Sequence, residues 1–254
     1  MAITLQYCSD LHLEFTLNEK FMKKYPLQVK GDILLLAGDI VPFAEMDKHK
    51  DFFDFVADSF EYTYWVPGNH EYYHSDIAQR SGRVQEKIRN NVFLVNNVAV
   101  QQGGVELIFS TLWSQIDPAY EWQIQRAMSD FHVIQHNGNR FSIPDFNRLH
   151  NESLQFIEAA VAASGLPAKV VVTHHIPTFM HYPPQFKGDI LSQAFATELS
   201  GFIEGSGIHS WIFGHHHYNA PEFKIGDTCM LTNQLGYVKH GEHTLFDGGK
   251  VFVV

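Results

Sequence analysis

The run Ile33-Leu34-Leu35-Leu36-Ala37-Gly38-Asp39-Ile40 constrains this chain more than any other stretch. Its apolar residues do not alternate with polar ones, so the strand they predict is buried on both faces, as in the sheets of α/β proteins. The glycine frees the backbone from the sheet, and the aspartate then stands at the carboxyl end of a core strand, where open α/β sheets place their ligands. The same event recurs along the chain. Residues 2–8 lead into Asp10 and His12, residues 62–66 into Gly68-Asn69-His70-Glu71, residues 168–173 into His174-His175, and residues 208–213 into Gly214-His215-His216-His217.

Between these strands the sequence predicts mostly helices. Residues 46–61 carry a helical stripe of Phe52, Phe53, Phe55, Val56 and Phe60, which makes a parallel crossover from the Asp39 strand to the next. Residues 76–90 are expected to be helical, and residues 92–100 to pair as two strands around the turn Asn96-Asn97. A strand is expected over 105–110. A short helix over 119–128 lies in an aromatic-rich stretch, 113–145, expected as an insertion over the rim of a site. Residues 144–164 predict a long helix with a proline near its start and Gly165 after its end. A helix is expected over 191–204, and short strands with turns at Gly226-Asp227 and Asp247-Gly248-Gly249 over 222–254. No repeat, low-complexity tract or linker interrupts residues 1–254, so a single domain is expected. Asp76 and Asp189 are expected as caps.

Composition narrows the function classes. A net charge of −10 and no basic block longer than Lys23-Lys24 argue against a surface that neutralises a long duplex nucleic acid. A small, locally bound substrate is favoured. Cys8 and Cys229 are too few for a disulfide framework and sit in apolar context, as buried thiols do. With no leader-like start and no apolar run approaching a membrane span, a cytoplasmic protein without a membrane partner is expected.

The strand ends together supply two aspartates, one asparagine and four histidines, a mixed nitrogen and oxygen donor set suited to Zn, Mn or Fe rather than Ca. Asp10 and His12 share a face if the backbone there stays extended. The ordered series Asp10-x-His12, Gly38-Asp39, Gly68-Asn69-His70-Glu71, His174 and Gly214-His215-x-His217 resembles the calcineurin-like metallophosphoesterases and spans nearly the whole chain. The resemblance implies a four-layer αββα sandwich with mixed sheets and a dinuclear metal site. It implies one metal on Asp10, His12 and His217, the other on Asn69, His174 and His215, Asp39 bridging both, and His70 facing the substrate as the catalytic residue. His174 directly follows its strand, whereas a His-x-Pro reading selects His175. Glu71 is expected either to orient its neighbours or to serve as a structural salt-bridge partner.

Such an arrangement has a physical basis. Two cations about 3.5–4 Å apart need a shared anionic ligand, and together they hold a hydroxide at neutral pH and neutralise the phosphoryl oxygens. His70 titrates in the range suited to proton transfer. The expected reaction is hydrolysis of a phosphodiester or small phosphomonoester, with a nucleotide among the candidate substrates. Protein serine/threonine phosphatases of this superfamily read G-D-x-V-D-R-G, but Val41-Pro42-Phe43-Ala44 follows Ile40 here, so the arginine that grips a phosphoprotein is absent. Trp113, Tyr72, Tyr73, Phe179, Tyr182 and Tyr218 could stack a planar group, although aromatics beside a core more often pack into it. Two other classes remain: a metal-binding scaffold that has lost catalysis, and a nuclease or cyclic-nucleotide phosphodiesterase.

Overall fold

The structure, a computed structural model, describes residues 2–254. Its strands are β1 (Thr4–Cys8), β2 (Ile33–Ala37), β3 (Tyr62–Val66), β4 (Val84–Lys87), β5 (Val92–Asn96), β6 (Val98–Gln102), β7 (Val105–Ser110), β8 (Gln135–His136), β9 (Asn139–Arg140), β10 (Ala168–Thr173), β11 (Ser210–Ile212), β12 (Phe223–Ile225), β13 (Thr228–Leu231) and β14 (Val251–Val253). Its α-helices are α1 (Thr16–Lys24), α2 (Lys50–Ser59), α3 (Glu121–Ala127), α4 (Asp130–Val133), α5 (Ile143–Ala163) and α6 (Ser200–Gly205).

Two six-stranded mixed sheets carry the fold, ordered β14-β1-β2-β3-β5-β4 and β12-β13-β11-β10-β7-β6. In each, four parallel strands are flanked by one antiparallel strand on either edge. The period of two along β2 shows why its sequence is apolar throughout. Ile33, Leu35 and Ala37 belong to the core between the sheets, with Leu107, Phe109, Val170 and Val172. Leu34 and Leu36 belong instead to an outer core with Phe53 and Val56 of α2. On the far side, Ile108, Val171 and Trp211 pack against Ile157 and Val161 of α5 and Ile203 of α6. The layers therefore run helix, sheet, sheet, helix, and the neighbouring parallel strands β1, β2 and β3 deliver their terminal loops to one edge, as do β10 and β11.

The expected helix over 76–90 is absent. A 3-10 turn at Ile77–Gln79 gives way to the edge strand β4, because Val84-Gln85-Glu86-Lys87 finds a partner in β5 and pairing outweighs the helical propensity of Gln, Glu and Lys. The expected pairing within 92–100 is also absent. β5 and β6 are separated by Asn97 alone, yet they lie in different sheets. Asn97 adopts φ 50°, and Asn96 accepts the Thr111 N–H at 2.8 Å, so this dipeptide is the corner at which the chain changes layers. The helix over 191–204 is broken into a 3-10 turn (Ile190–Ala194) and α6. Between them the backbone bonds to the loop after β10, through Ile176 N–H to Phe195 O and Thr197 N–H to Ile176 O. Helix α1 lies in a stretch that the sequence reading left unassigned.

Other expectations hold in outline. Helix α5 begins with a capping box between Ser142 and Asp145, Asp76 and Asp189 cap 3-10 turns, and β12 and β13 form a hairpin around Gly226-Asp227. Among the described residues no helix is long and apolar enough to cross a membrane.

Leu107 is fully buried between the sheets. Leu107→Ala is expected to lower stability by about 2–5 kcal/mol through lost transfer energy and a residual cavity; urea unfolding monitored by tryptophan fluorescence checks this.

Candidate metal centre

The five loops meet because backbone bonds tie them in sequence. The loop after β1 runs beside the loop after β2, with Asp10 N–H to Gly38 O at 2.9 Å and His12 N–H to Asp39 O at 2.9 Å. Gly214 N–H donates to His174 O at 3.0 Å, and both oxygens of Asp10 accept the His215 N–H at 3.1 Å. Glycine is required where loops touch: Gly38 has φ 89°, and a Cβ on Gly68 would collide with Asp39 Oδ1 and the His174 ring.

Asp10, His12, Asp39, Asn69, His174, His215 and His217 converge, all buried except His217, which is nearly so. They form two groups that share Asp39. Its Oδ2 faces His12 Nε2 at 3.7 Å, while its Oδ1 faces His174 Nε2 at 3.4 Å. In the first group His12 Nε2 lies 2.9 Å from His217 Nε2, which lies 3.4 Å from Asp10 Oδ1. In the second, His174 Nε2 lies 3.0 Å from His215 Nδ1 and 3.2 Å from Asn69 Oδ1.

The remaining ring nitrogens fix the tautomers. His174 Nδ1 donates to Ala37 O at 2.9 Å, His12 Nδ1 to Glu14 Oε1 at 3.1 Å, and His217 Nδ1 to Glu242 Oε2 at 2.7 Å. Each leaves an Nε2 lone pair aimed into the site, as metal-ligating histidines do. Ring nitrogens 2.9–3.0 Å apart need a proton or a metal ion between them. His215 Nε2 is buried with no hydrogen-bond partner among the described residues. The donors fit two transition-metal ions.

The electrostatics agree. Burial opposes charge on Asp10 and Asp39, yet the histidines beside them hold both carboxyls below their ordinary value. Burial opposes protonation of His174 and His217 as well, but the flanking carboxylates, led by Asp39 for the first and Asp10 for the second, push them up to about 9 and about 10. Burial and neighbouring histidines keep His12 and His215 low. Each group thus draws one positive charge.

His70 sits beside the two groups. Its N–H donates to Asp39 Oδ1 at 3.0 Å, its ring stacks on Tyr73, and its Nδ1 meets Glu14 Oε1 at 3.1 Å. Burial disfavours the imidazolium, but Asp39 and Glu14 outweigh it and raise the pKa. His175, the alternative to His174, turns instead towards Trp113 and Phe146, with both ring nitrogens unpartnered. Its ring also lies 4.2 Å from that of His215. His216 bonds Gln234 rather than Asp39.

Several participants were not legible in sequence. Glu14 continues the spacing Asp10-x-His12-x-Glu14, which was a usable signal, although the backbone there is left-handed rather than extended, with φ 55° at Asp10 and 46° at His12. Asp130, which accepts from the Asn69 amide at 2.9 Å and thereby turns Asn69 Oδ1 inward, comes from the aromatic-rich insertion. Tyr237, Gln234 and Glu242 come from the tail, and no local pattern marks them. The aromatics divide: Trp113 and Tyr72 are core residues, whereas Tyr73, Tyr182 and Tyr218 line a cleft of about 730 Å³ above the site.

Glu71 forms no salt bridge. Its Oε2 accepts from Asp39 N–H at 2.9 Å and Gly68 N–H at 2.6 Å, and its Oε1 from Ile40 N–H at 2.7 Å and Trp65 Nε1 at 3.1 Å. Burial and the nearby Asp39 push its carboxyl up to about 8, against the pull of these donors.

The calcineurin-like phosphoesterase family profile matches residues 5–219. The chain is 32% identical over 262 residues to an uncharacterized protein of Acanthamoeba polyphaga mimivirus, covering 92% of this chain and 91% of that one. It is similar in fold to a phosphopantetheinyl hydrolase from Mycobacterium tuberculosis, with a TM-score of 0.72, 15% identity, and 99% and 95% of the two chains covered. A dimetal phosphatase from Danio rerio aligns at a TM-score of 0.43 and 13% identity over 91% and 87%.

Glu71→Gln is isosteric but turns an amide NH₂ towards N–H donors. It is expected to destabilise the protein by roughly 2–4 kcal/mol, the cost of leaving buried donors unpaired, and to lower metal retention; chemical denaturation and elemental analysis after gel filtration check both.

Proposed function

The chain belongs to the calcineurin-like phosphoesterase family, and on that premise we propose that it hydrolyses a phosphodiester or small phosphomonoester with Asp39 bridging two metal ions. Asp10, His12 and His217 would hold one ion, and Asn69, His174 and His215 the other; Mn, Fe or Zn would suit such donors. The observation that carries this reading is the division of Asp39, whose two oxygens face two separate groups of donors. Bound there, the ions supply Lewis acidity towards the phosphoryl oxygens and a nucleophile at neutral pH.

The chain's own residues do the rest. Glu14 takes the Nδ1 proton of His70 as a hydrogen bond and so fixes which ring nitrogen, Nε2, faces outward. From Nε2 His70 protonates the departing alkoxide. Tyr237, whose hydroxyl lies 3.4 Å from that nitrogen, and Tyr73, stacked on the ring, limit its rotation. Asp130 and Glu242 hold Asn69 and His217 in register. The complete donor set supports catalysis over a metal-binding scaffold. The acidic chain supports a small substrate over a long duplex, and two free cysteines support a cytoplasmic location.

With manganese added, the protein is expected to hydrolyse aryl phosphates and to lose this activity on dialysis against a chelator. Asp39→Asn is expected to lower both bound metal and kcat/KM, the latter by about 100-fold or more, since even outer partners of metal ligands contribute about 10–100-fold. His70→Ala should retain metal while kcat falls by about 100-fold or more. Full turnover by Asp39→Asn would remove the proposed bridge.

A further inference from the structure

The walls of the cleft say more about the substrate than its floor does. The cleft of about 730 Å³ lies over Asp39, Asn69 and His70 and is far larger than one phosphoryl group, within the size range of small-molecule sites. None of the described residues lining it is Lys or Arg, and besides Asp39 two more are carboxylates, Asp189 and Glu242. Two cationic side chains next in sequence to lining residues are otherwise placed: Lys187 borders a neighbouring hollow, and the Arg126 guanidinium lies over the Trp122 ring. Apolar side chains line the cleft as well, Met128, Phe186, Leu191 and Leu245, and Leu245 and Phe186 are 68% and 44% exposed.

A phosphomonoester is largely a dianion at neutral pH, because its second pKa is about 6. Sites that hold such dianions commonly add a guanidinium fork to whatever metals they contain. This cleft has none. The charge of any bound metals is already offset in part by Asp10 and Asp39, with Glu14 and Glu242 close by, and a second phosphate further out would meet Asp189. A phosphodiester carries one negative charge and two ester arms, and the apolar lining residues offer a seat for the arm that stays on phosphorus.

Resting on the hydrolase reading above, we infer that the substrate is a phosphodiester whose retained arm is uncharged and apolar or aromatic, seated against Phe186 and Leu245. A water oxygen bonds to phosphorus as the bond from phosphorus to the leaving oxygen breaks. The leaving alkoxide takes a proton from the His70 imidazolium, one proton of the water restores that imidazolium, and the other passes to solvent. The products are an alcohol and a phosphomonoester dianion, which this cleft has no lysine or arginine to retain.

The test uses the manganese-loaded protein with bis(p-nitrophenyl) phosphate, methyl p-nitrophenyl phosphate and p-nitrophenyl phosphate. The bis-aryl diester is expected to exceed the monoester in kcat/KM by about tenfold or more, as like-charge mismatch costs several kcal/mol. Phe186→Ala is expected to raise KM for the bis-aryl ester several-fold more than for the methyl ester, with kcat little changed. A smaller diester preference, or a monoester preference, overturns the diester assignment and leaves the hydrolase reading standing. An equal effect of Phe186→Ala on the two diesters overturns the proposed seat. No turnover of any ester by protein shown to hold its metals overturns the hydrolase reading with it.

Discussion

The buried carboxylate of Glu71 is the interaction on which the rest of this structure depends. It accepts backbone N–H groups from the loops after β2 and β3 and the indole N–H of Trp65, so one side chain fixes the spacing of the loops that present Asp39 and those that present Asn69 and His70. The other loops hang from these. Asp10 and His12 are tied to Gly38 and Asp39, and the His174 ring to Ala37 O. His215 is tied in turn to Asp10. An unpaired buried carboxylate would be costly, but one surrounded by donors converts that cost into positional order.

That order holds a strained backbone in place. Among the described residues, five of the eleven non-glycine positions with positive φ are Asp10, His12, Asp39, His215 and His217, so the sparsely populated conformation recurs at candidate ligands. Each such residue costs of order 1–3 kcal/mol when the conformation is disfavoured. The bonds between loops sustain it, and side chains two apart still turn into one site although the backbone there is not extended.

The charge pattern separates chemistry from recognition. At the floor of the cleft, buried carboxylates and fixed imidazole tautomers concentrate negative field and lone pairs, an environment that recruits cations. On its walls the cations are missing and apolar side chains stand in their place. A site of this kind handles charge at phosphorus through what it binds at the floor, and it selects the remainder of a substrate by shape and desolvation.

The sequence alone determined the α/β class and pointed to the candidate donor residues, because burial on both faces forces the unbroken apolar run at residues 33–37 and because each candidate follows its strand directly. It also exposed the missing arginine after Asp39. Tertiary structure decided what has no local cause. Asn96-Asn97 could be a hairpin turn or a corner between sheets, and only the packing of Val95 and Val98 into one inter-sheet core selects the corner. Residues 84–87 became a strand because β5 offered an edge. His174 and His175 are alike in sequence, and the carbonyl of Ala37 decides which of them faces Asp39. Glu14, Asp130, Tyr237 and Glu242 surround the site from distant segments, for side-chain periodicity is set within an element, whereas the meeting of loops is set by how whole sheets pack.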